Sequence, residues 1–343
     1  MADLSFHRGG TGRPLVLIHG IGSHWQVWSP ILDRLAQHRD VIALDLPGFG
    51  SSPQPPHSSP RPPGTTSEAA TDPQQPGTPT QPPGTAPQPP SAPSQSPGTA
   101  PQSPGASSQP PGTAPQSPGG PSQPLRASAQ ASGGTPRGAR PGSVPWFADR
   151  VADLLDDLDL PTPDIAGSSL GGGVALELGR RGRARSVTAF APVGFWSTPG
   201  RIWCQTVVTT ARTGARRLSR RLPAIMNNRA SRAAFCAVFY ARPSHLNPDE
   251  ALAAAQNLAT CPGFTDARNA FAHLPPWTAG NLGALPDIPV TIAWGTKDAV
   301  LPYNQSRQAQ KILPKARHIT LPKCGHLPFA DDPTRCAEIL LNA

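Results

Sequence analysis

No uninterrupted apolar run in this 343-residue chain approaches the ~18 residues that a membrane-spanning helix needs. The start, MADLSFHRGG, has no apolar h-region, so a secretory signal is not expected. Cysteine is scarce: Cys204, Cys236, Cys261, Cys324 and Cys336 are odd in number and lack C-x-x-C spacing. That argues against a disulfide framework and against a zinc site, and it fits a reducing compartment. The expectation is a cytoplasmic protein with no stable membrane insertion and no metal. The formal charge of +9 comes with no recognisable nucleic-acid motif, so no nucleic-acid partner is expected.

Residues 53–143 lack almost every aliphatic and aromatic type and hold most of the 47 prolines. Such a segment cannot bury enough apolar surface to offset the entropy of ordering it, and it reads as a disordered insert. PGTAPQ recurs at 83, 97 and 111, but solenoid repeats need an apolar face to stack and this one has none. The remainder is the size of one large domain.

Arginine is densest in ARTGARRLSRRLP, where Arg212, Arg216 and Arg220 stand at i, i+4, i+8. A run of like charges is ordinarily a solvated helix face. The alternative is a contact surface for anionic partners or lipid headgroups.

Either side of the insert, strand and helix patterns alternate. RPLVLIHG is a short apolar run ending in a turn, as a buried parallel strand is, and WQVWSPILDRLAQH has helical periodicity. DVIALDLPGFG repeats the strand and VPWFADRVADLLDDLDL the helix; PDIAGSSLGGGVALELGRRG reads as strand, sharp turn and helix. After RSVTAFAPVGFW the alternation lapses into mostly helical sequence, then returns with IPVTIAWGT, NQSRQAQKIL, ARHITLP and DDPTRCAEILLNA. The expectation is an α/β fold, a mostly parallel doubly wound sheet with a helical cap. Its core spans 1–52, 144–196 and 286–343, its cap 197–285 and its insert 53–143.

In AGSSLGGG the frame G-x-S-x-G is Gly167, Ser168, Ser169, Leu170, Gly171. A serine in a strand-to-helix turn is held strained with its hydroxyl raised, and flanking glycines remove colliding side chains, so Ser169 is the nucleophile candidate. Shifting the frame to Ser168 would place Ala166 and Leu170 at the flanks; Ser168 is a neighbour that tunes the pocket or packs. A serine hydroxyl needs a positioned base, and the base an orienting acid. CGHLPFADDP supplies His326 and GTKDAVLP supplies Asp298, in the order Ser169, Asp298, His326. Asp331 and Asp332 lie nearer His326 but read as the start of the last helix. HGIG, His19 to Gly22, allows an N–H to face the pocket, which assigns the oxyanion donors to the Ile21 and Leu170 backbones. His19 reads as structural, and His24 and Trp25 as pocket walls.

LVLIHGIG, DLPGFGSS, AGSSLGGG, GTKDAVLP and CGHLPFADDP together resemble the α/β-hydrolase superfamily, in the set with one helical cap, over 5–52 and 144–343. RRGRARSVTAFAPVGFW is similar to actinobacterial members of that set. The resemblance implies a hydrolase with a Ser-His-Asp triad and no cofactor. Relatives with a nucleophilic aspartate, the epoxide hydrolases and haloalkane dehalogenases, are disfavoured by Ser169.

The leading reading is a serine hydrolase of small-molecule carboxylic esters. A second is carbon–carbon hydrolysis of dienoic ring-cleavage products; relatives of that kind usually carry Asn at the position of Ser168 and an aromatic at that of Leu327, a further pocket candidate. A third is an idle domain whose Pro-rich insert recruits SH3-like partners. Trp203, Phe235, Phe239, Tyr240, Phe264 and Phe271 of the cap either line an acyl pocket or, for most of them, pack the cap. Substrate and oligomeric state stay open.

Overall fold

The computed structural model describes residues 4–55, 125–126 and 138–343, the pair 125–126 through its backbone alone. By internal contacts the chain divides into residues 1–57 with 121–343, and 58–120. The second unit lies outside the described residues, as do the PGTAPQ repeats and most of the stretch expected to be a disordered insert. Of that stretch, Leu125–Arg126 is a short strand, and Ser143 caps the next helix, its side chain accepting from Trp146 N.

The elements in chain order are β1 (Ser5–Gly9), β2 (Arg13–Ile18), α1 (Ser29–Ala36), β3 (Arg39–Leu44), β4 (Leu125–Arg126), α2 (Val144–Asp157), β5 (Asp164–Ser168), α3 (Leu170–Arg180) and β6 (Ser186–Phe190). Five helices follow: α4 (Thr198–Arg217), α5 (Leu222–Asn227), α6 (Arg229–Cys236), α7 (Pro248–Thr260) and α8 (Phe264–Ala270). The chain then completes the sheet with β7 (Val290–Gly295), α9 (Gln305–Ile312), β8 (Arg317–Leu321) and α10 (Pro333–Leu341).

The sheet runs β4-β1-β3-β2-β5-β6-β7-β8. Strands β3 through β8 in that order are parallel; β1 is antiparallel to β3, and β4 to β1. Alternation along β2 sets the layers. Leu15 and Leu17 enter a cluster with α1 and α10, while Val16 and Ile18 enter the one shared with α2 and α3. The cap leaves the sheet after β6 and returns at β7, and part of it has its own small core of Leu222, Met226, Cys236, Ala251 and Ala255.

Opposite the site end, the amino edge of the sheet is tied by charge. Buried Asp164 at the start of β5 accepts from Arg13 Nε at 2.8 Å, Ser186 Oγ at 2.7 Å, Arg39 and Arg185. Burial pushes its carboxyl up, but the hydrogen bonds from Arg185, Ser186 and Arg39 outweigh that and hold it below the ordinary value. Among the described residues no helix is long and apolar enough to cross a membrane. All five cysteines are free and buried, and burial pushes the Cys204 thiol up to about 12 and that of Cys236 to about 11.

Candidate active site

Between β5 and α3 the chain reverses within one residue, and that residue is Ser169, at φ 55° and ψ −115°. A side chain pays strain there, so the surroundings must impose the conformation. The Ser169 N–H donates to Phe190 O at 2.9 Å, and its carbonyl accepts from Gly173 N at 3.0 Å and Val193 N at 3.1 Å. The flanking glycines are needed for space. A methyl on Gly167 would lie 2.1 Å from the Gly171 carbonyl oxygen, and one on Gly171 would lie 2.1 Å from that of Ile18.

His326 lies in the segment between β8 and α10, and Asp298 in the turn after β7. Both are buried. His326 Nδ1 donates to Asp298 Oδ2 at 2.8 Å. The second carboxylate oxygen accepts from Val300 N at 2.9 Å and Leu301 N at 2.8 Å. A carboxylate so held keeps the proton on Nδ1 and leaves Nε2 free to accept one.

Above Ser169 runs the loop after β2; a methyl on Gly20 would lie 3.1 Å from Ser169 Cβ. His19 shapes this loop: its Nδ1 donates to Gly20 O at 2.7 Å and its Nε2 accepts from Leu46 N at 3.0 Å. Burial pushes the imidazole down to about 3, so it is neutral at pH 7 and its 3.9 Å approach to Asp45 is no ion pair. Because C=O and N–H point oppositely across a trans peptide, holding Gly20 O turns the Ile21 N–H away from His19. Among the described residues no hydrogen bond occupies the Ile21 or Leu170 N–H. Asp45, which the sequence reading passed over, braces the next turn. Its Oδ1 accepts from Trp25 N at 2.7 Å and its Oδ2 from Ser51 N at 2.9 Å. Burial pushes its carboxyl up to about 6 against those two bonds.

A cavity of about 370 Å³ opens between this loop, the His326 loop and the cap. Ile21, His24, Leu327, Phe235, Phe239 and Tyr240 are among its walls. Neither Ser169 nor His326 is; the cavity meets their neighbourhood through Ile21 and Leu327, the chain neighbours of Gly20 and His326. Two expected pocket residues lie elsewhere. Trp25 stacks on His7 of β1, ring centroids 4.7 Å apart, while its backbone N–H is held by Asp45. Ser168 is fully buried on the strand, and its hydroxyl has no hydrogen-bond partner among the described residues. Of the cap aromatics, Phe264 and Phe271 are buried in the core, and Trp203 is exposed.

Asp331 and Asp332 separate in role. Asp332 caps α10, accepting from Arg335 N at 3.1 Å. Asp331 is buried and accepts from Gly325 N at 2.8 Å, Ala241 N at 2.9 Å and Arg242 N at 2.8 Å. It thereby ties the residue before His326 to the cap. Leu327 N adds a second tie, donating to Phe239 O at 2.9 Å.

A family model described as the alpha/beta hydrolase fold matches residues 13–333. The chain is 33% identical to the epoxide hydrolase EphH of Mycobacterium tuberculosis over 203 residues, 57% of this chain and 92% of that protein. Among solved structures it is similar to a thermophilic esterase from Thermogutta terrifontis, with TM-score 0.55 and 19% identity over 99% of this chain and 92% of that one. A meta-cleavage product hydrolase from Pseudomonas fluorescens IP01 gives TM-score 0.56 and 15% identity over 99% and 93%. Such identities speak for the fold, while the sheet order, the elbow at Ser169 and the family match over nearly the whole chain speak together. The chain belongs to the α/β-hydrolase family.

Proposed function

We propose that this hydrolase cleaves carboxylic esters through an acyl-enzyme on Ser169. The observation that carries the reading is a serine at a strained elbow whose fold-mates include a buried, hydrogen-bonded His326–Asp298 pair. Ser169 Oγ attacks the ester carbonyl as His326 Nε2 takes its proton, and the oxyanion is received by the Ile21 and Leu170 amides. Collapse expels the alcohol, which takes that proton from His326. Water then attacks the acyl-enzyme with His326 again as base, releasing the acid and restoring Ser169. Asp298 keeps the imidazole in the tautomer both steps need.

The serine favours acyl chemistry over epoxide opening, despite the name of the Mycobacterium relative. Serine attack on an epoxide carbon would leave an ether, with no carbonyl for water to attack. Carbon–carbon hydrolysis of ring-cleavage acids would use the same three residues, but those substrates carry carboxylates. The cavity lining has no lysine or arginine and includes Asp249 and Glu250, which favours a neutral ester.

A fluorophosphonate probe and a panel of neutral esters graded in acyl length test the reading. Labelling and turnover are expected to vanish in Ser169→Ala and to persist in Ser168→Ala; labelling that survives Ser169→Ala refutes the assignment. Asp298→Asn is expected to keep the fold and lower kcat on the order of 10⁴-fold, through the wrong imidazole tautomer.

A further inference from the structure

The cap carries a charge imbalance that the proposed chemistry does not use. Between residues 197 and 248, the first part of the cap, the chain has nine arginines and not one aspartate or glutamate. Some of these arginines are internal: Arg212 donates to the Leu258 and Cys261 carbonyls at 3.0 Å each and lies over the Phe264 ring. Of the i, i+4, i+8 set Arg212, Arg216 and Arg220, Arg212 therefore turns inward, and Arg220 lies in the turn beyond α4. Arg216, Arg217, Arg220, Arg221 and Arg229 are exposed, and none has an ion-pair partner among the described residues. They gather at the end of α4, in the turn after it and at the start of α6.

The other end of α4 carries the opposite kind of anomaly. Ile202 and Trp203, 54% and 51% exposed, are the large hydrophobic side chains left in solvent among the described residues. Fourteen residues separate Trp203 from Arg217, close to four helical turns, so both stand on one side of α4. The exposed residues between them are Thr206, Thr210 and Thr213. Thr206 Oγ1 donates to Ile202 O at 2.9 Å and Thr213 Oγ1 to Thr209 O at 2.8 Å, so these hydroxyls are satisfied within the helix. The Trp203 indole N–H is likewise satisfied, by Ala299 O at 2.9 Å.

We propose that this face of α4, with the arginine turn that follows it, docks the protein on an anionic lipid bilayer, the helix lying in the plane of the interface. An acidic protein or a nucleic acid would answer the arginines alone. A bilayer surface answers both ends: phosphate headgroups pair with the arginines, and Ile202 and Trp203 enter the layer beneath without abandoning a hydrogen bond. The formal charge of +9 adds long-range attraction to such a surface. None of this depends on the role of Ser169.

The test is sedimentation of the full chain with vesicles of phosphatidylcholine, alone or mixed with phosphatidylglycerol. Binding to the mixed vesicles that weakens with salt, and none to phosphatidylcholine alone, is expected. Replacing Arg216, Arg217, Arg220 and Arg221 together by glutamine should lower partitioning about a hundredfold or more. Ile202→Ser should lower it several-fold at every salt concentration. Circular dichroism and turnover of a water-soluble ester should be unchanged in both variants. Absence of binding, equal binding to both vesicle types, or partitioning untouched by the four-arginine variant overturns the proposal. So does retention on polyglutamate or duplex DNA without any on vesicles.

Discussion

A methyl group added to Gly167 or Gly171, at the carboxyl edge of the sheet, would meet backbone at 2.1 Å; one added to Gly214, inside α4 of the cap, would have nothing within 4 Å. The two regions are held by different means. At the sheet edge each position is set by close backbone contact and by hydrogen bonds whose partners come from other strands. In the cap, helices rest on apolar stripes and cap boxes, and they meet the edge through a few polar ties such as Asp331. The edge therefore specifies one geometry for chemistry, whereas the cap has latitude to vary its lining.

That contrast is sharpest in a matched pair. Gly171→Ala forces backbone apart and is expected to destabilise by about 4 kcal/mol or more, or to prevent folding. Gly214→Ala is expected to stabilise by up to about 1 kcal/mol, since alanine is the better helix former and the space is open. Urea midpoints of the two variants check both signs; a neutral Gly171→Ala would show that the edge yields as the cap does.

Asp331 is where the two regions are joined, and removing it should loosen both. Asp331→Ala leaves three amides, those of Gly325, Ala241 and Arg242, without an acceptor. The expected cost is about 3 kcal/mol in chemical denaturation, with Asp331→Asn milder because one acceptor oxygen remains. Equal losses in the two variants would mean that charge, not the acceptor oxygens, makes the joint.

His19 gives the edge a pH signature. Its imidazole titrates near 3 in the fold against an ordinary 6.5, so its contribution is lost as pH falls through that interval. Asp45, pushed up to about 6 from 3.8, acts in the opposite sense: the folded state gains as pH falls from 6 towards 3.8. The larger His19 effect leaves a net loss on the order of 2 kcal/mol between pH 6.5 and pH 3. In His19→Gln the loss of stability over the same interval should be smaller than in the unchanged protein.

What the sequence showed depended on how local the cause was. The elbow was legible because its constraint is written in adjacent residues, Gly167 to Gly171, and the strands because β2, β3 and β7 are continuous apolar runs. β1 was not, since SFHRG alternates weakly and gains its place by pairing with β3. Asp331 reads like a helix cap, and its joining role depends on Ala241 and Arg242, some ninety positions away. Trp25 was expected, with His24, to be a pocket wall; its ring stacks instead on His7 of β1, eighteen residues earlier.

Removal of residues 57–139, the longest change, is expected to have an effect small for its length. The described margins of that stretch converge on one residue of the cap. Gln54 Nε2 donates to Asp266 Oδ2 at 3.0 Å, and a methyl on Gly142 would lie 2.5 Å from the Asp266 carbonyl carbon. Ends that meet at Asp266 can be rejoined by a short connection. Loop closure changes by about 0.6 kcal/mol for each doubling of length, so shortening to roughly ten residues alters stability by about 2 kcal/mol at most. Among the described residues, loss of β4 removes the two-residue pairing at Ser5 and Phe6. The shortened chain is expected to unfold in one transition near that of the full chain and to turn over small esters at a similar rate. If turnover disappeared while circular dichroism and thermal unfolding stayed normal, the removed residues would belong to the site itself, and the division between a fixed edge and a variable cap would need a third part.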